Sequence, residues 1–380
     1  MMKILMLLDN PFRADARVEK EVKSLLENGY EVEIFAEKDD SLLPVEEKFG
    51  CTIHRNLDPV FKRPFAKRYR EFLLEVSEMI CENPFDFLHC HDYQTIVIGA
   101  MVKKKRPQTK LIYDNHEYLE GWPLYKTSNG ILNQIKGYFV WKKAIVDERD
   151  AMKYADRIIT ISSAIAGKIN NQTNSSNQPV VLRNVPDNFK KTHQSNYFRK
   201  QFDLSENERI LVHAGSIYQT NRQLNQLFSI LQEFENLRLI FVGNRPRFFE
   251  VKKMVKKKRE LAGKIFFHDY PSSQHEMLEM LSSADIGLLH VRHKWEAHRI
   301  GFSNRFLEYS FAGLPVISTP QDECVKIGKQ FGHAFFYHEN YPLELRDAIL
   351  NCLENLQDLK KKAEKVASCL NWKTEVKKLR

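Results

Sequence analysis

The feature that most constrains this chain is an alternation of short apolar runs with longer segments of helical periodicity. Residues 3–8 (KILMLL) form a continuous apolar run, which is typical of a buried parallel strand. Apolar residues at helical spacing follow over residues 18–26 and end at Asn28-Gly29, a common helix stop. Residues 32–36 (VEIFA) form a second strand, so the sequence opens with one βαβ unit.

The alternation continues through the rest of the chain. In the first half, further strands are predicted at residues 87–89, 111–114, 157–161 and 180–182. In the second half, they are predicted at residues 210–213, 237–242, 264–267, 286–289 and 316–318. Because helical patterns separate these strands, we predict an α/β fold with two parallel sheets covered by helices.

A polar segment without sustained apolar periodicity, residues 184–208, separates the two halves. The chain has 380 residues, the length of about two domains. We therefore predict an N-terminal domain over residues 1–185 and a C-terminal domain over residues 186–359. The basic helical residues 360–380 either complete the second domain or pack back on the first.

Composition excludes several classes of protein. Hydrophobic residues make up 43% and charged residues 28% of the chain, which excludes disordered and collagen-like proteins. The net charge of +9 suits an anionic partner such as a nucleotide, a phosphate or a membrane surface. No apolar stretch approaches the ~20 residues of a membrane span. The six cysteines form no CxxC pair, so we expect neither zinc nor disulfides, and a cytoplasmic location.

Polar residues follow the predicted strands of the first half, at the edge where parallel sheets bind ligands. They are Asp9-Asn10, His91-Asp92, Asn115-His116-Glu117 and Ser162-Ser163. Two of these strand ends combine a histidine with a carboxylate, which favours a functional role; structural hydrogen bonding is the alternative. Either serine also suits the N-cap of the next helix.

In the second half, His213-Ala214-Gly215-Ser216 follow the first strand, and the next helix begins near Asn221-Arg222. A glycine turn beside a helix N-terminus and a cation can bind a phosphate through backbone N–H groups and charge. No P-loop is present, and no GxGxxG sequence follows either first strand. A nicotinamide-dependent dehydrogenase is therefore disfavoured.

Residues 303–319 (SNRFLEYSFAGLPVIST) contain the most candidate site residues. Ser303 and Asn304 can begin a helix in which Glu308 stands among apolar side chains. A carboxylate in such surroundings needs a partner. A ribose diol would supply two hydrogen bonds, and a nearby arginine is the alternative partner.

This stretch resembles the nucleotide-binding helix and strand of the family 4 glycosyltransferases, retaining enzymes with the GT-B fold. Residues 3–36 resemble the opening βαβ unit of that family. The segments LHCHD, LIYDNHEY, ADRIITISSAI, LRNVPD, LIFVGN and SSADIGLLHV follow in the family's order and spacing. The resemblance covers essentially the whole chain, and it implies two Rossmann-like domains whose parallel sheets face each other across a cleft.

The resemblance also implies roles for individual residues. Glu308 matches the carboxylate that binds the donor ribose, and His116 the histidine near the donor sugar and the reacting centre. Arg222 matches the cation that neutralises the leaving diphosphate. Further donor-binding residues would be Asn10, Gly215, Ser216, Ser303 and Asn304. On the acceptor side we expect Arg17, His91 and Asp92.

Two positions depart from the family pattern. Ser216 stands where the family commonly has arginine, so the diphosphate loses one expected cation. Ile300 stands where the family commonly has the first of two glutamates, so the donor sugar is bound there by apolar contact or by a substitute. Glu296 and His298 are the nearest candidates, and we favour Glu296 as a donor-binding residue.

The implied activity is transfer of a sugar from a nucleotide-sugar donor to a hydroxyl group of a glycan or lipid-linked acceptor, with retained configuration. Bacterial surface polysaccharide or glycoconjugate synthesis is the expected setting. Neither a metal nor another cofactor is expected, because no Asp-x-Asp motif is present to hold a metal. A sugar-nucleotide epimerase of the same fold and a non-catalytic nucleotide-binding protein are the alternatives.

Two segments mix aromatic residues with lysine and arginine, namely residues 61–72 (FKRPFAKRYREF) and 131–143 (ILNQIKGYFVWKK). This composition suits peripheral contact with an anionic membrane, such as the inner face of the cell membrane. Helices packed on the sheet are the alternative. The basic runs at residues 103–106 and 252–259 lack an aromatic platform for bases, so no nucleic-acid partner is expected.

Overall fold

The computed structural model describes residues 1–13, 15–59, 68–173, 178–187, 195–244 and 246–379. The chain divides into two compact units. The first comprises Met1–Arg183, Trp295–Ala297 and Val376–Arg380, and the second comprises Asn184–Lys294 and His298–Glu375. The main division therefore falls between residues 183 and 184, where the sequence predicted 185 and 186. Of the predicted C-terminal helical segment, the part up to Glu375 belongs to the second unit.

The first unit contains an eight-stranded sheet in the order β3-β4-β2-β1-β5-β6-β7-β8. Its strands are β1 (Lys3–Leu7), β2 (Glu31–Glu37), β3 (Val45–Lys48), β4 (Cys51–Leu57), β5 (Phe87–His91), β6 (Lys110–Asn115), β7 (Arg157–Thr160) and β8 (Val180–Val181). Its pairings are parallel except that of β3 with β4. Strand β1 is central, and Leu5, Met6 and Leu7 are fully buried, which explains its uninterrupted apolar run.

The helices of the first unit are α1 (Ala16–Glu27), α2 (Tyr69–Glu82), α3 (Asp92–Lys105), α4 (Ile131–Met152) and α5 (Ser163–Thr173). Helix α1 begins where the Asp15 carboxylate accepts hydrogen bonds from two backbone N–H groups, and it ends before Gly29, whose φ is 80°. Ser162 Oγ accepts a hydrogen bond from Ile165 N at 3.2 Å, which confirms the predicted N-cap of α5. Short 3₁₀ turns lie at Leu119–Gly121 and Leu124–Thr127.

The hairpin of β3 and β4 was absent from the predicted strands, for a physical reason. Strand β3 is partly exposed on both faces, so it carries no apolar run. Strand β4 alternates buried with partly or fully exposed side chains, a weaker signal than a continuous run. Phe49 and Gly50 join the two strands with φ values of 57° and 87°, the left-handed conformation that tight hairpins need.

The second unit contains a six-stranded parallel sheet in the order β11-β10-β9-β12-β13-β14. Its strands are β9 (Arg209–Ala214), β10 (Leu237–Val242), β11 (Ile265–His268), β12 (Ile286–Leu289), β13 (Val316–Ser318) and β14 (Ala334–Phe336). Strand β14, whose three residues are only partly buried, was not among the predicted strands. A buried core with Leu211, Leu239 and Leu288 packs the sheet against its helices.

The helices in the second half of the chain are α6 (Tyr197–Phe202), α7 (Asn221–Glu233), α8 (Pro246–Lys256), α9 (Gln274–Leu281), α10 (Glu296–Ile300), α11 (Asn304–Phe311), α12 (Asp322–Phe331), α13 (Pro342–Glu354), α14 (Leu356–Cys369) and α15 (Trp372–Glu375). Short 3₁₀ turns lie at Arg259–Leu261 and Val376–Leu379. Helix α6 lies within the predicted connecting segment, where the buried Phe198 anchors it. Among the described residues, no helix is both long and apolar enough to cross a membrane.

Candidate active site

Polar residues converge at the carboxyl edge of the first unit's sheet. Strand β5 ends at His91 and pairs in parallel with β6, which sets His91 beside Asp114. Helix α1 follows β1 and carries Arg17 to the same edge, while Asp92 begins α3. His116 comes directly after β6. Four parts of the chain therefore form one cluster, which contains His91, Asp92 and His116 of the candidates that follow the strands.

Arg17 and Asp114 form a buried two-pronged ion pair. The Arg17 guanidinium donates from Nε and Nη2 to the two Asp114 oxygens, both at 2.8 Å, and from Nη1 to the carbonyl of Leu182 at 2.9 Å. Its Nε also lies 3.2 Å from Glu21 Oε1. Arg17 is 4% exposed and His91 is 1% exposed, so both side chains point into the unit. This placement departs from the acceptor-facing role that the resemblance implied for them.

His116 lies between two carboxylates. Its Nδ1 is 3.2 Å from Asp92 Oδ2, and its Nε2 is 3.3 Å from Asp114 Oδ2. The side chain of His116 keeps 21% of its surface exposed, and that of Asp92 keeps 26%. His91 Nδ1 approaches His116 Nε2 at 3.4 Å. Of the cluster, His116 and Asp92 are thus the residues that solvent or a substrate can reach.

The charges of the cluster follow from this geometry. Burial lowers the pKa of His116, but the attraction of Asp92 and Asp114 outweighs burial and raises that pKa well above its usual value. Burial and the neighbouring His89 hold the pKa of His91 well below its usual value, so His91 is neutral. Burial and repulsion by Asp114 raise the pKa of Glu21 to about 8.

The buried donor atoms of Glu21, His89, His91 and Asp114 lie within 4.8 Å of one another, close enough to surround a metal ion. The guanidinium of Arg17, however, already contacts the carboxylates of Glu21 and Asp114. A divalent ion there would have to lie against that cation and compete with it for both carboxylates. We therefore assign Arg17 as the cation of this cluster and assign no metal ligands.

The Asn10 side chain forms hydrogen bonds within its own loop. Its Oδ1 accepts a hydrogen bond from Phe12 N at 2.9 Å, and its Nδ2 donates to Asp15 at 3.2 Å. Phe12 has a φ of 52°, a left-handed conformation that this turn stabilises. The structure therefore gives the Asn10 side chain a loop-forming role, and its predicted contact with the donor stays a prediction.

The second unit contains an open pocket of about 450 Å³ at the carboxyl edge of its sheet. Gly215, with a φ of 106°, forms the turn after β9, a conformation that favours glycine. Ser303 precedes α11 and makes no capping hydrogen bond from its side chain, which leaves the N–H groups of Asn304 and Arg305 able to donate to an anion. Among the predicted site residues, the lining includes Gly215, Ser216, Ser303 and Asn304.

Arg305 is the pocket residue that the sequence analysis missed. It lines the pocket beside Gly215, pairs with the Glu308 carboxylate, and donates from Nη2 to Tyr270 Oη at 2.6 Å. Glu308 is 8% exposed and also accepts a hydrogen bond from Gln274 Nε2 at 3.2 Å. The arginine partner considered as the alternative for Glu308 is therefore present. The sequence contained the information to find Arg305, because it precedes Glu308 by three residues and so lies on the same helix face.

Three predicted residues lie away from this pocket. Arg222 is exposed in the first turn of α7 and lines a separate surface groove with Glu233 and Arg346. Ile300 is 1% exposed, so its side chain belongs to the core and does not present apolar surface to a ligand. Glu296 groups with the first unit, and its Oε1 lies 2.7 Å from Lys168 Nζ.

Two known protein families match this chain. The profile of Glycosyltransferase Family 4 matches residues 16–184, and that of Glycosyl transferases group 1 matches residues 208–355. The chain belongs to these glycosyltransferases. The two matches cover most of both units, and they confirm the resemblance that the sequence motifs indicated. No curated protein sequence gives a significant match.

The glycosyltransferase resembles solved structures over 100% of its length. Sucrose-phosphate synthase from Thermosynechococcus elongatus matches with 16% identity, 97% coverage of that chain and a TM-score of 0.76. HepE from Anabaena in complex with UDP matches with 16% identity, 98% coverage of that chain and a TM-score of 0.70. WaaG, a glycosyltransferase involved in lipopolysaccharide biosynthesis, matches with 16% identity, 98% coverage of that chain and a TM-score of 0.67. At such identities the likeness concerns the fold, and it confirms the predicted GT-B fold.

Proposed function

We propose that this glycosyltransferase moves a sugar from a nucleotide-sugar donor to a hydroxyl group of a glycan or lipid-linked acceptor, with retention of the anomeric configuration. The observation that carries the proposal is the pocket of the second unit, which is lined by a glycine turn, a helix N-terminus and Arg305, the partner of the Glu308 carboxylate. The proposal is supported by HepE, which has been crystallised with UDP and with UDP-glucose. Assembly of a bacterial surface polysaccharide or glycoconjugate is the setting that we propose.

Each part of the pocket suits one part of such a donor. The turn at Gly215 and the N-terminus of α11 present backbone N–H groups, which bind phosphate oxygens. Arg305 adds a fixed positive charge that stabilises the leaving diphosphate. Glu308 offers a carboxylate to the ribose hydroxyls, and Tyr270, which is 43% exposed, offers a flat ring to the base.

We assign the leaving-group cation to Arg305 and not to Arg222. Arg305 lines the pocket next to Gly215, whereas Arg222 lines the separate groove on α7. This assignment also accounts for Ser216, because Arg305 restores the positive charge that is missing after the glycine. With this charge and a helix N-terminus in place, the proposed reaction proceeds without a metal.

A transfer assay with a donor panel tests the proposed function. Thermal shifts with nucleoside diphosphates first identify the base, because a ligand at 100 times its Kd stabilises the protein by ~2.7 kcal/mol. UDP-glucose is the first donor to test with lipid-linked and soluble glycan acceptors. Acceptor-dependent release of the nucleoside diphosphate, with an α-linked product from an α-linked donor, supports the proposal. Epimerised donor without acceptor would favour an epimerase, and binding without turnover a non-catalytic protein.

We further propose that the first half of α4 contacts an anionic membrane in which a lipid-linked acceptor resides. Ile131 and Leu132 are 76% and 74% exposed, and Phe139 is 58% exposed. Lys136 and Lys142 are exposed on the same twelve-residue stretch. Large exposed apolar side chains beside lysines are typical of helices that lie in a membrane interface. The other predicted segment, residues 61–72, lies mostly outside the described residues.

Flotation with liposomes tests the membrane proposal. We expect the protein to float with vesicles that contain anionic lipid at low salt, and to float less as salt rises. Replacing Ile131, Leu132 and Phe139 by glutamine should abolish flotation. The matched control replaces Leu43 and Leu343 by glutamine. These residues are 66% and 70% exposed elsewhere on the surface, so the control variant should still float with the vesicles. Equal flotation of both variants would contradict the assignment to α4.

A further inference from the structure

The histidine that follows β6 has both ring nitrogens facing carboxylates, an arrangement that leaves neither nitrogen free. Asp92 Oδ2 lies 3.2 Å from Nδ1 and Asp114 Oδ2 lies 3.3 Å from Nε2. A neutral imidazole has only one N–H group, so it can donate to only one of these oxygens. The doubly protonated ring donates to both. The geometry therefore favours an imidazolium at His116.

We propose that Asp92 and Asp114 form a carboxylate clamp that holds His116 as an imidazolium, so that His116 serves sugar transfer as a fixed positive charge and not as a proton acceptor. This inference rests on the proposed function and deepens it by assigning the charge state of one site residue. Asp92 and Asp114 are positioning residues in this scheme, because they act through His116.

The backbone at Asp92 supports the clamp. Asp92 has a φ of 67°, in the left-handed region that few residues other than glycine adopt. Aspartate tolerates this conformation better than most residues, yet a strained backbone persists only where surrounding contacts enforce it. The strain occurs at the residue whose carboxylate contacts His116 Nδ1. The first residue of α3 is therefore held in a conformation that places this carboxylate beside the ring.

Arg17 fixes the other half of the clamp. Its two hydrogen bonds occupy both Asp114 oxygens from the buried side, and Oδ2 also faces His116. With Arg17 neutralised by Asp114, the carboxylate of Asp92 is left to balance a charge on His116. Two cations and two anions then make the clamp electrically neutral, whereas a neutral His116 would leave one negative charge uncompensated.

The other titratable groups around the ring also favour a charged His116, because burial raises the pKa of Glu21 to about 8, which leaves it mostly uncharged at neutral pH, and that of Glu117 to about 7, which leaves it partly negative. They are Arg17 and Glu21 of α1, His89 and His91 of β5, Asp92 of α3, Asp114 of β6 and Glu117 in the following loop. Burial keeps the pKa of His89 at about 4 and that of His91 well below its usual value, so neither competes for the positive charge. Since a raised pKa keeps His116 charged below that pKa, its charge is present at neutral pH and is lost in alkaline solution.

Nitrogen-15 NMR of labelled histidine side chains tests the clamp on the full chain. At pH 8 we expect a doubly protonated imidazole signal in the wild type that is absent from His116→Gln. In Asp92→Asn, that signal should titrate at least about one pH unit lower, because an opposing charge typically shifts a pKa by ~1–3 units. Asparagine tolerates a positive φ, so this variant keeps the backbone of α3. The matched control is Asp147→Asn, whose carboxylate is 23% exposed and pairs with Lys143.

Kinetics of the same variants test the role of the charge. Asp92→Asn should lower kcat by roughly 10- to 100-fold through misplacement of His116 and change the donor KM less than about threefold. On the alkaline side of the pH profile, the activity of Asp92→Asn should begin to fall at a lower pH than the activity of the wild type. The pH profile of Asp147→Asn should match that of the wild type. A neutral His116 at pH 8, or equal titration in both variants, would overturn the clamp. A wild type that shows the imidazolium but transfers no sugar would instead overturn the proposed function.

Discussion

The two units differ in how far their charged residues are buried at the carboxyl edges of their sheets. In the first unit, Arg17, Glu21 and Asp114 are at most 4% exposed and contact one another inside the protein. In the second unit, Arg305 lines an open pocket with Tyr270, which is 43% exposed. A closed cluster contributes to folding and positions its neighbours, whereas an open pocket keeps its interactions for a ligand. Mutations should therefore lower stability in the first unit and affinity in the second.

Removing the buried cation should produce the largest effect. Arg17→Met leaves the buried carboxylate of Asp114 without its counter-ion, and breaking a buried ion pair costs about 3–5 kcal/mol of unfolding free energy. Urea unfolding measures the loss. The control Arg299→Met removes a half-exposed guanidinium that pairs with Asp322, and it should cost less than about 1 kcal/mol. Equal small losses in both variants would show that the first cluster is not a closed structural unit.

Removing the Glu308 carboxylate, which pairs with the pocket residue Arg305, comes next and should affect binding. Glu308→Ala should weaken binding of the cognate nucleoside diphosphate by about 1.5–3 kcal/mol, the value of hydrogen bonds to a charged group. Isothermal titration calorimetry measures the change, and circular dichroism confirms that the variant is folded. The control Glu250→Ala removes a carboxylate that is 61% exposed on α8 and should leave affinity unchanged. Wild-type affinity in Glu308→Ala would make Glu308 a structural partner of Arg305.

Arg305 and Arg222 are the two candidates for the leaving-group cation, and binding of a charged and an uncharged ligand distinguishes between them. Arg305→Met should weaken nucleoside diphosphate binding about 10- to 30-fold, because it removes charge-assisted hydrogen bonds to phosphate. The uncharged nucleoside should bind this variant much as it binds the wild type. Arg222→Met should change neither affinity more than about twofold, since an exposed charge contributes little. The reverse order of effects would return the leaving-group role to Arg222.

The sequence predicted what depends on local patterns. Continuous apolar runs identified the buried parallel strands, and the polar residues after them marked both sheet edges. The pairing of Arg17 with Asp114 joins residues 97 apart and depends on how β1, β5 and β6 are ordered in the sheet, which no local pattern specifies. For the same reason, Arg17 and His91 were predicted to face an acceptor. Arg305, by contrast, could have been predicted from the sequence, because it lies one helical turn from Glu308.

The smallest effect concerns Glu296, which the sequence offered as a substitute for the missing glutamate at Ile300. Because Ile300 is buried, apolar contact of its side chain with the donor sugar is not available, and a nearby polar group is the remaining hypothesis. Glu296 is 38% exposed and pairs with Lys168, so its carboxylate is accessible but is already engaged in an ion pair. We expect Glu296→Gln to lower kcat/KM about 10-fold, equivalent to ~1.4 kcal/mol, if the carboxylate binds sugar hydroxyls.

Lys168→Met provides the control for Glu296, because it removes the same ion pair and leaves the carboxylate in place. It should change kcat/KM less than about threefold, since an exposed pair contributes ~0–1 kcal/mol. Steady-state kinetics with the cognate donor measure both variants, and nucleoside diphosphate affinity should be unchanged in each, because the proposed nucleotide site is at Arg305 and Glu308. Equal small changes in the two variants would reduce Glu296 to an ion-pair partner. The donor sugar would then be recognised by backbone groups or by the charged residues of the first unit.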